Sequence, residues 1–207
     1  NRILTASRMN LLLRCARAHF WQAEVGLRSE KVFLALRVGS AWAKAMEARW
    51  RGAGYEEAIA LAIPEDSDLE PFAVVTISTL VACYYWHYGA SETEGRLEPE
   101  VQIPARELGG TGFKVSGVID ALGRIGHRLA MIEGKTTGDS LDPDSDYWLR
   151  LRWNIQLLNY ISELRHLGKF PEVIFYDVCR KPSIKPMKKV DDLDELGRKI
   201  VLDADGK

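Results

Sequence analysis

The chain has 207 residues, 46% of them hydrophobic and 28% charged, with a formal net charge of −1. That is enough for one domain with a substantial core, and the balance is that of an ordinary globular protein, not of a disordered or fibrous one. It excludes a global basic field, so a nucleic-acid partner must be held by a local patch, and no apolar run reaches the roughly 18 residues of a membrane span. The first residues lack the basic-then-apolar pattern of a signal peptide. Cys15, Cys83 and Cys179 are odd in number and far apart, which argues against a disulfide framework and a structural zinc site and points to a reducing cytoplasm.

In chain order, "TASRMNLLLRCARAHFWQAEVGLRS" (5–29) reads as one helix. Thr5 or Ser7 can cap it, Met9, Leu12, Leu13 and Phe20 supply its apolar positions, and Gly26 closes it. "VGSAWAKAMEARWRGAG" (38–54) predicts a second helix, with Ala41, Trp42, Ala45 and Met46 on one side and Gly52 and Gly54 as stops. "SDLEPFAVVTISTLVACYYWHYGA" (67–90) is rich in β-branched and aromatic residues, but its length favours a buried helix over a strand pair.

From residue 97 the period changes to two. "RLEPEVQIPARELGG" (96–110), "GFKVSGVIDALGRI" (112–125) and "HRLAMIEGKTT" (127–137) read as antiparallel strands joined by glycine-bearing turns. "DPDSDYWLRLRWNIQLLNYISELRHLG" (142–168) predicts one long helix, with Asp144 or Ser145 as N-cap and Gly168 as stop, and "PEVIFYDVCRK" (171–181) a returning strand. The expected fold is α/β, a mixed central sheet flanked by helices. It forms one domain with a mainly helical part (1–95), an αβ core (96–190) and a polar tail (191–207).

Two apolar runs end in charge: Val118-Ile119 in Asp120, and Leu129-Ala130-Met131-Ile132 in Glu133-Gly134-Lys135. On a strand, Glu133 and Lys135 share a face, about 7 Å apart along the backbone. With Asp120 closing the neighbouring strand, its carboxylate converges with that of Glu133. Two carboxylates that close repel unless a cation or a proton lies between them, and an oxygen-rich pair suits Mg²⁺ or Mn²⁺. A lysine alongside suits the activation of water and the steadying of phosphate charge, and Gly134 lets its own carbonyl approach the metal. Gln156 and Tyr160, four apart, share one helical face with Leu149 and Trp153.

An Asp closing one strand, Glu-x-Lys closing the next and Gln-x-x-x-Tyr on the following helix resemble the PD-(D/E)XK nuclease superfamily, and the Gln–Tyr element resembles its RecB-like and phage-exonuclease branch. "SRMNLLLRCARAHFW", "VGSAWAKAMEARW", "EPEVQIP" and "VIFYDVCRKPSIKP" are similar to further segments of such domains, so that the likeness spans about residues 5 to 186. The resemblance implies a restriction-endonuclease-like core and a Mg²⁺- or Mn²⁺-dependent deoxyribonuclease, an exonuclease acting on DNA ends in recombination or repair. Its implied catalytic residues are Asp120, Glu133, Lys135, Gln156 and Tyr160, and its implied metal ligands are Asp120, Glu133, the Gly134 carbonyl and Glu100. It is compatible with a homo-oligomer, with a recombination or helicase partner protein, and with the host cytoplasm for a phage-encoded chain. Two departures stand out: Ala43 occupies the position of a family metal-binding histidine, and three scattered cysteines cannot hold the four-cysteine iron–sulfur cluster of some relatives. Cys15 then reads as a packed helix residue.

Two basic stretches suit a DNA backbone: Arg150 and Arg152 beside Trp148 and Trp153, and Arg180, Lys181, Lys185, Lys188 and Lys189. Plainer readings stand beside these. Asp120 can cap a turn, Glu133–Lys135 can be a surface ion pair, Gln156 and Tyr160 a half-buried helix face, Glu100 an exposed strand acid and the basic runs a solvated face. A P-loop reading of "EGKTT" fails, because Leu129 stands where the motif needs glycine. A non-catalytic binding module of the same fold and the nuclease domain of a larger helicase–nuclease are the competing functions.

Overall fold

The computed structural model describes residues 3–30, 33–89, 97–151 and 153–182. Its centre is a mixed five-stranded sheet flanked by helices. The alternating residues of Glu98–Glu107 (β1), Lys114–Ile125 (β2) and Arg128–Thr137 (β3) form an antiparallel meander. Between β2 and β3, Gly126 takes φ 61° at the first position of a two-residue turn, the conformation that a tight hairpin loop of this kind demands. Val173–Arg180 (β4) pairs parallel with β3. A parallel neighbour needs a crossover, and helical residues between 146 and 166 provide it. A short strand, Ile3–Leu4 (β5, the first in sequence), pairs parallel with β2 at Lys114 and Val115.

One detail of register matters most. The β2–β3 ladder runs only from Ile125↔Arg128 to Ala121↔Ile132. β1 pairs with the opposite edge of β2 from Lys114 to Leu122, so β3 and β5 share the remaining edge at its two ends. Between them, residues 116–120 of β2 have no strand partner on that edge among the described residues.

Leu34–Trp50 (α1) buries Val38, Ala41, Trp42, Ala45, Met46 and Ala48 at helical spacing and packs on the sheet. Tyr55–Ala62 (α2) begins at Gly54, with Glu56 and Glu57 favourably placed in its first turn. Pro71–Tyr88 (α3) starts with Pro71 in the position where a missing N–H costs nothing, and it is a helix as its length requires. These three share one core; a second joins Val101, Ile103, Ile119, Leu122 and Met131 of the sheet to Leu157, Tyr160 and Leu164. α2 was not anticipated from the sequence.

Three expectations are corrected. The helix expected over 5–29 is Ala6–Arg14 (α4), Ala16–His19 (α5) and a π-helical turn at Phe20–Glu24. Thr5 caps α4 as expected, but Cys15 is extended, and its Sγ accepts from the Ala18 N–H. On one straight helix Arg8 and Glu24 would lie about 24 Å apart at the usual rise. With the break, the Arg8 guanidinium reaches the Ile3 carbonyl at 2.7 Å and the Glu24 carboxylate at 2.5 Å. Cys15 is therefore an exposed cap, not a packed helix residue.

The helix expected over 142–168 is Asp146–Leu151 (α6) and Ile155–His166 (α7). Asn154 accepts from the Gln156 and Leu157 N–H groups at 2.9 and 3.3 Å, so it restarts the helix as an N-cap. Ser145, an expected cap, leaves its Oγ buried with no hydrogen-bond partner among the described residues. Gly168 does terminate α7, at φ 73°. Asp120, third, lies inside β2, because the strand continues to Ile125.

Glu163 of α7 is buried and takes both Arg106 nitrogens, at 2.8 and 2.6 Å. Arg106→Met would leave that carboxylate without its counter-charge. A fall of roughly 5 °C or more in melting temperature is expected by thermal denaturation.

Candidate active site

Asp120 and Glu133 meet where the β2–β3 ladder stops, one residue past the last pair Ala121↔Ile132. There the Gly134 N–H turns to Asp120 Oδ2, at 2.9 Å. The alternation that puts Glu133 and Lys135 on one face holds, and the Lys135 ammonium is hydrogen-bonded to Glu133 Oε1. The charge does not emerge at a surface edge, however: Glu133 is 0% exposed. Lys135, by contrast, is partly open to solvent.

α7 supplies the next contacts. Gln156 Nε2 donates to Glu133 Oε1 at 2.7 Å and approaches the Tyr160 hydroxyl at 3.2 Å. Gln156 therefore touches the acid itself rather than Lys135. Burial pushes the buried Tyr160 hydroxyl up to about 12. Leu149 and Trp153 do not share this face; they belong to α6 and to the break, and both are exposed.

The second oxygen, Glu133 Oε2, is buried with no hydrogen-bond partner among the described residues. Burial is the main force raising the Glu133 carboxyl to about 7, and the Asp120 charge adds to it while Lys135 opposes. Burial also raises Asp120, against the pull of Lys135 and the Gly134 N–H. Two carboxyls held in this way take up either a proton or a cation.

Beside Gly134, on the α1 side, is a cavity of about 20 Å³ lined by Trp42, Ala43, Met46, Glu47, Trp50, Glu100, Asp120 and Gly134. Roughly 10–15 Å³ already admits one water-sized occupant. Glu100 is exposed and has φ 53°, the only non-glycine positive φ among the described residues. Partial loss of solvent on its inner side, then the charges of Glu47 and Asp120, raise its carboxyl. Among the described residues, no three His, Cys, Asp or Glu side chains stand together tightly enough to hold an ion as they are. The donor set nonetheless fits a hard divalent cation: the Glu47, Glu100 and Asp120 carboxylates line the cavity, and Glu133, whose Oε2 is buried without a hydrogen-bond partner among the described residues, precedes Gly134 on β3.

The candidate DNA contacts are less uniform. Arg150 is exposed and lies 3.8 Å from Asp139. With Tyr147, Trp153, Asn154, Gln156 and Tyr176 it lines a cavity of about 280 Å³ next to Gln156. Trp153 is 82% exposed, whereas Trp148 donates to the Leu141 carbonyl at 3.0 Å and is tied into the fold. Arg180 ends β4, and the Lys181 N–H bonds the Thr137 carbonyl. Arg152, Lys185, Lys188, Lys189 and the tail lie outside the described residues.

Sequence reading missed Glu47 and Trp42 as neighbours of this site. The available signal was spacing: Glu47 is one helical turn beyond Ala43, so it faces the same way.

No curated protein matches the chain. A solved structure titled "Crystal structure of SSO0001" is similar at 16% identity, over 87% of this chain and 78% of that one, with a TM-score of 0.27. No helix among the described residues is long and apolar enough to cross a membrane. A family model described as the PD-(D/E)XK nuclease superfamily matches residues 3–204. That match extends over the helices, the sheet and the acid pair alike, and the chain belongs to the PD-(D/E)XK nuclease superfamily.

Proposed function

We propose that this chain is a metal-dependent deoxyribonuclease of the RecB-like, phage-exonuclease branch, hydrolysing phosphodiester bonds at DNA ends in recombination or repair. The observation that carries the reading is the state of Glu133. One oxygen is fixed by Lys135 and Gln156, the other is buried without a hydrogen-bond partner among the described residues, and the Asp120 charge bears on the same carboxyl. A structural ion pair has no need of a second carboxylate whose charge opposes the first; a cation site does.

Asp120, Glu133, the Gly134 carbonyl and Glu100 would hold Mg²⁺ or Mn²⁺. When bound, the cation supplies Lewis acidity toward the phosphate and acidifies water. Lys135, with its ammonium at Glu133 and partly open to solvent, orients the attacking water and steadies negative charge on the phosphate. Gln156 holds the Glu133 carboxylate in its rotamer, and Tyr160 braces Gln156; both are positioning residues. Arg150, Arg180 and Lys181 contact the DNA backbone, with Trp153 available for stacking on an unpaired base. The helical part and the sheet act as one unit, because α1 walls the cavity beside Gly134.

The competing reading is a binding module that has lost its metal, and Ala43 beside the cavity favours it. Purified protein is incubated with end-labelled linear DNA and with closed circular DNA, in Mg²⁺, Mn²⁺ or EDTA, beside Lys135→Ala. Metal-dependent loss of the linear substrate alone is expected, reduced at least about 100-fold in the variant, as for removal of a group acting in the transition state. If neither DNA is cut with either metal, the binding module is the better description.

A further inference from the structure

Three acids approach the cavity beside Gly134 from three elements: Glu47 from α1, Glu100 from β1 and Asp120 from β2. The register Pro99↔Ala121 and Val101↔Ile119 sets Glu100 across from Asp120, an arrangement of like charges that disfavours the sheet unless something neutral or positive intervenes. Trp42 is an independent observation at the same place. It is 3% exposed, it lines the same cavity, and its Nε1–H has no hydrogen-bond partner among the described residues. That nitrogen lies 3.9 Å from where a side chain on Gly134 would begin, beside Asp120 Oδ2 at 3.8 Å from the same point. The acids call for positive charge and the buried N–H calls for an oxygen acceptor. A divalent cation that keeps part of its water shell meets both demands, and Mg²⁺ in particular holds its waters while bound by one or two carboxylates.

We propose that Glu47 is a ligand of this cation, taking over from α1 the place that Ala43 cannot fill, with the Trp42 N–H holding one of the cation's waters. The inference rests on the metal-dependent reading above and names a protein ligand that reading lacks. Ala43 and Glu47 are i and i+4 on α1, so both face the cavity, and a longer side chain one turn on replaces a shorter reach. Arg51 holds Glu47 Oε1 at 2.8 Å, and its side chain is more than half exposed, so it can swing into solvent as the carboxylate turns inward. Glu47 and Glu100 close on the cation by side-chain rotation, since the acids do not converge before it arrives.

The test is Mn²⁺ binding to the whole chain without DNA, read by isothermal titration calorimetry. The proteins are the wild type, Asp120→Asn, Glu47→Gln, Arg51→Met and the double variant Glu47→Gln/Ala43→His, each checked by melting temperature. Glu47→Gln is expected to weaken Mn²⁺ about tenfold or more. Arg51→Met removes the same ion pair but keeps the carboxylate, so it should bind as the wild type does. Histidine at 43, an exposed position on the cavity wall, should recover most of the loss in the double variant. Wild-type affinity in Glu47→Gln overturns the inference and leaves the metal-dependent reading intact, as does an equal loss in Arg51→Met, which would make Glu47 merely structural. If the wild type binds no Mn²⁺, or Asp120→Asn binds it equally well, the metal-dependent reading itself falls.

Discussion

Replacing Glu133 with glutamine is expected to stabilise the metal-free protein at pH 8 by about 1–3 kcal/mol, and to change nothing at pH 4. The carboxyl is fully buried and is raised from 4.5 to about 7, first by desolvation and then by the Asp120 charge. A carboxyl whose folded value exceeds its unfolded one favours the fold below pH 4.5, and that contribution fades as the pH rises through 7. That rise of the carboxyl, in which the opposing pull of Lys135 is already included, is worth on the order of 3 kcal/mol. Glutamine never ionises, keeps an oxygen for Gln156, and frees Lys135 to turn to solvent. Urea melts of both proteins in EDTA at pH 4, 6 and 8 measure the difference. A gap that does not widen with pH would contradict a buried, reluctantly ionised Glu133. Saturating Mn²⁺ should narrow the gap at pH 8 by stabilising the wild type alone. A gain in stability joined to a loss of function is the mark of a site held under electrostatic stress.

The second large effect is expected at Gly117. A Cβ there would lie 2.7 Å from Cε1 of Tyr160, closer than atoms pack. The ring cannot yield cheaply, being buried among Ile119, Leu157 and Leu164. Gly117→Ala should therefore cost about 1–3 kcal/mol through overpacking. Its reach is longer than the clash, because the Tyr160 hydroxyl meets Gln156 and Gln156 holds Glu133. Adding Tyr160→Leu makes room for the new methyl and should restore part of the stability, but it leaves Gln156 unbraced. Denaturant melts should thus improve in the double variant while DNA cleavage stays low. Parallel recovery of both would mean that Tyr160 matters only as packing.

Period-two alternation located the three antiparallel strands, and with them the shared face of Glu133 and Lys135, because both are properties of a strand considered alone. The helical offset of Gln156 and Tyr160 was legible for the same reason. The breaks at Cys15 and Asn154 were not, since apolar spacing continues through both. What stops the helix is a side chain bonding its own backbone, and at the first break also an Arg8–Glu24 contact that exists only after the chain folds back. The burial of Glu133 was hidden too. Its run reads as core followed by surface, whereas the ladder parts at that residue and α7 covers it. Glu47 escaped because its relevance depends on α1 lying over Gly134, a tertiary fact.

The tight Gly126–His127 turn has a kinetic consequence. It leaves Asp120 and Glu133 only thirteen positions apart (133 − 120) on one hairpin. Hairpins of this kind close in about 1–10 μs, while the parallel docking of β4 must await a long crossover. The two acids lie on one local hairpin, whereas Gln156 reaches Glu133 only when the crossover helix docks on the sheet. Their mutual repulsion is thus a toll on the folding route as well as on the finished site, and whatever neutralises it acts from the first contacts onward.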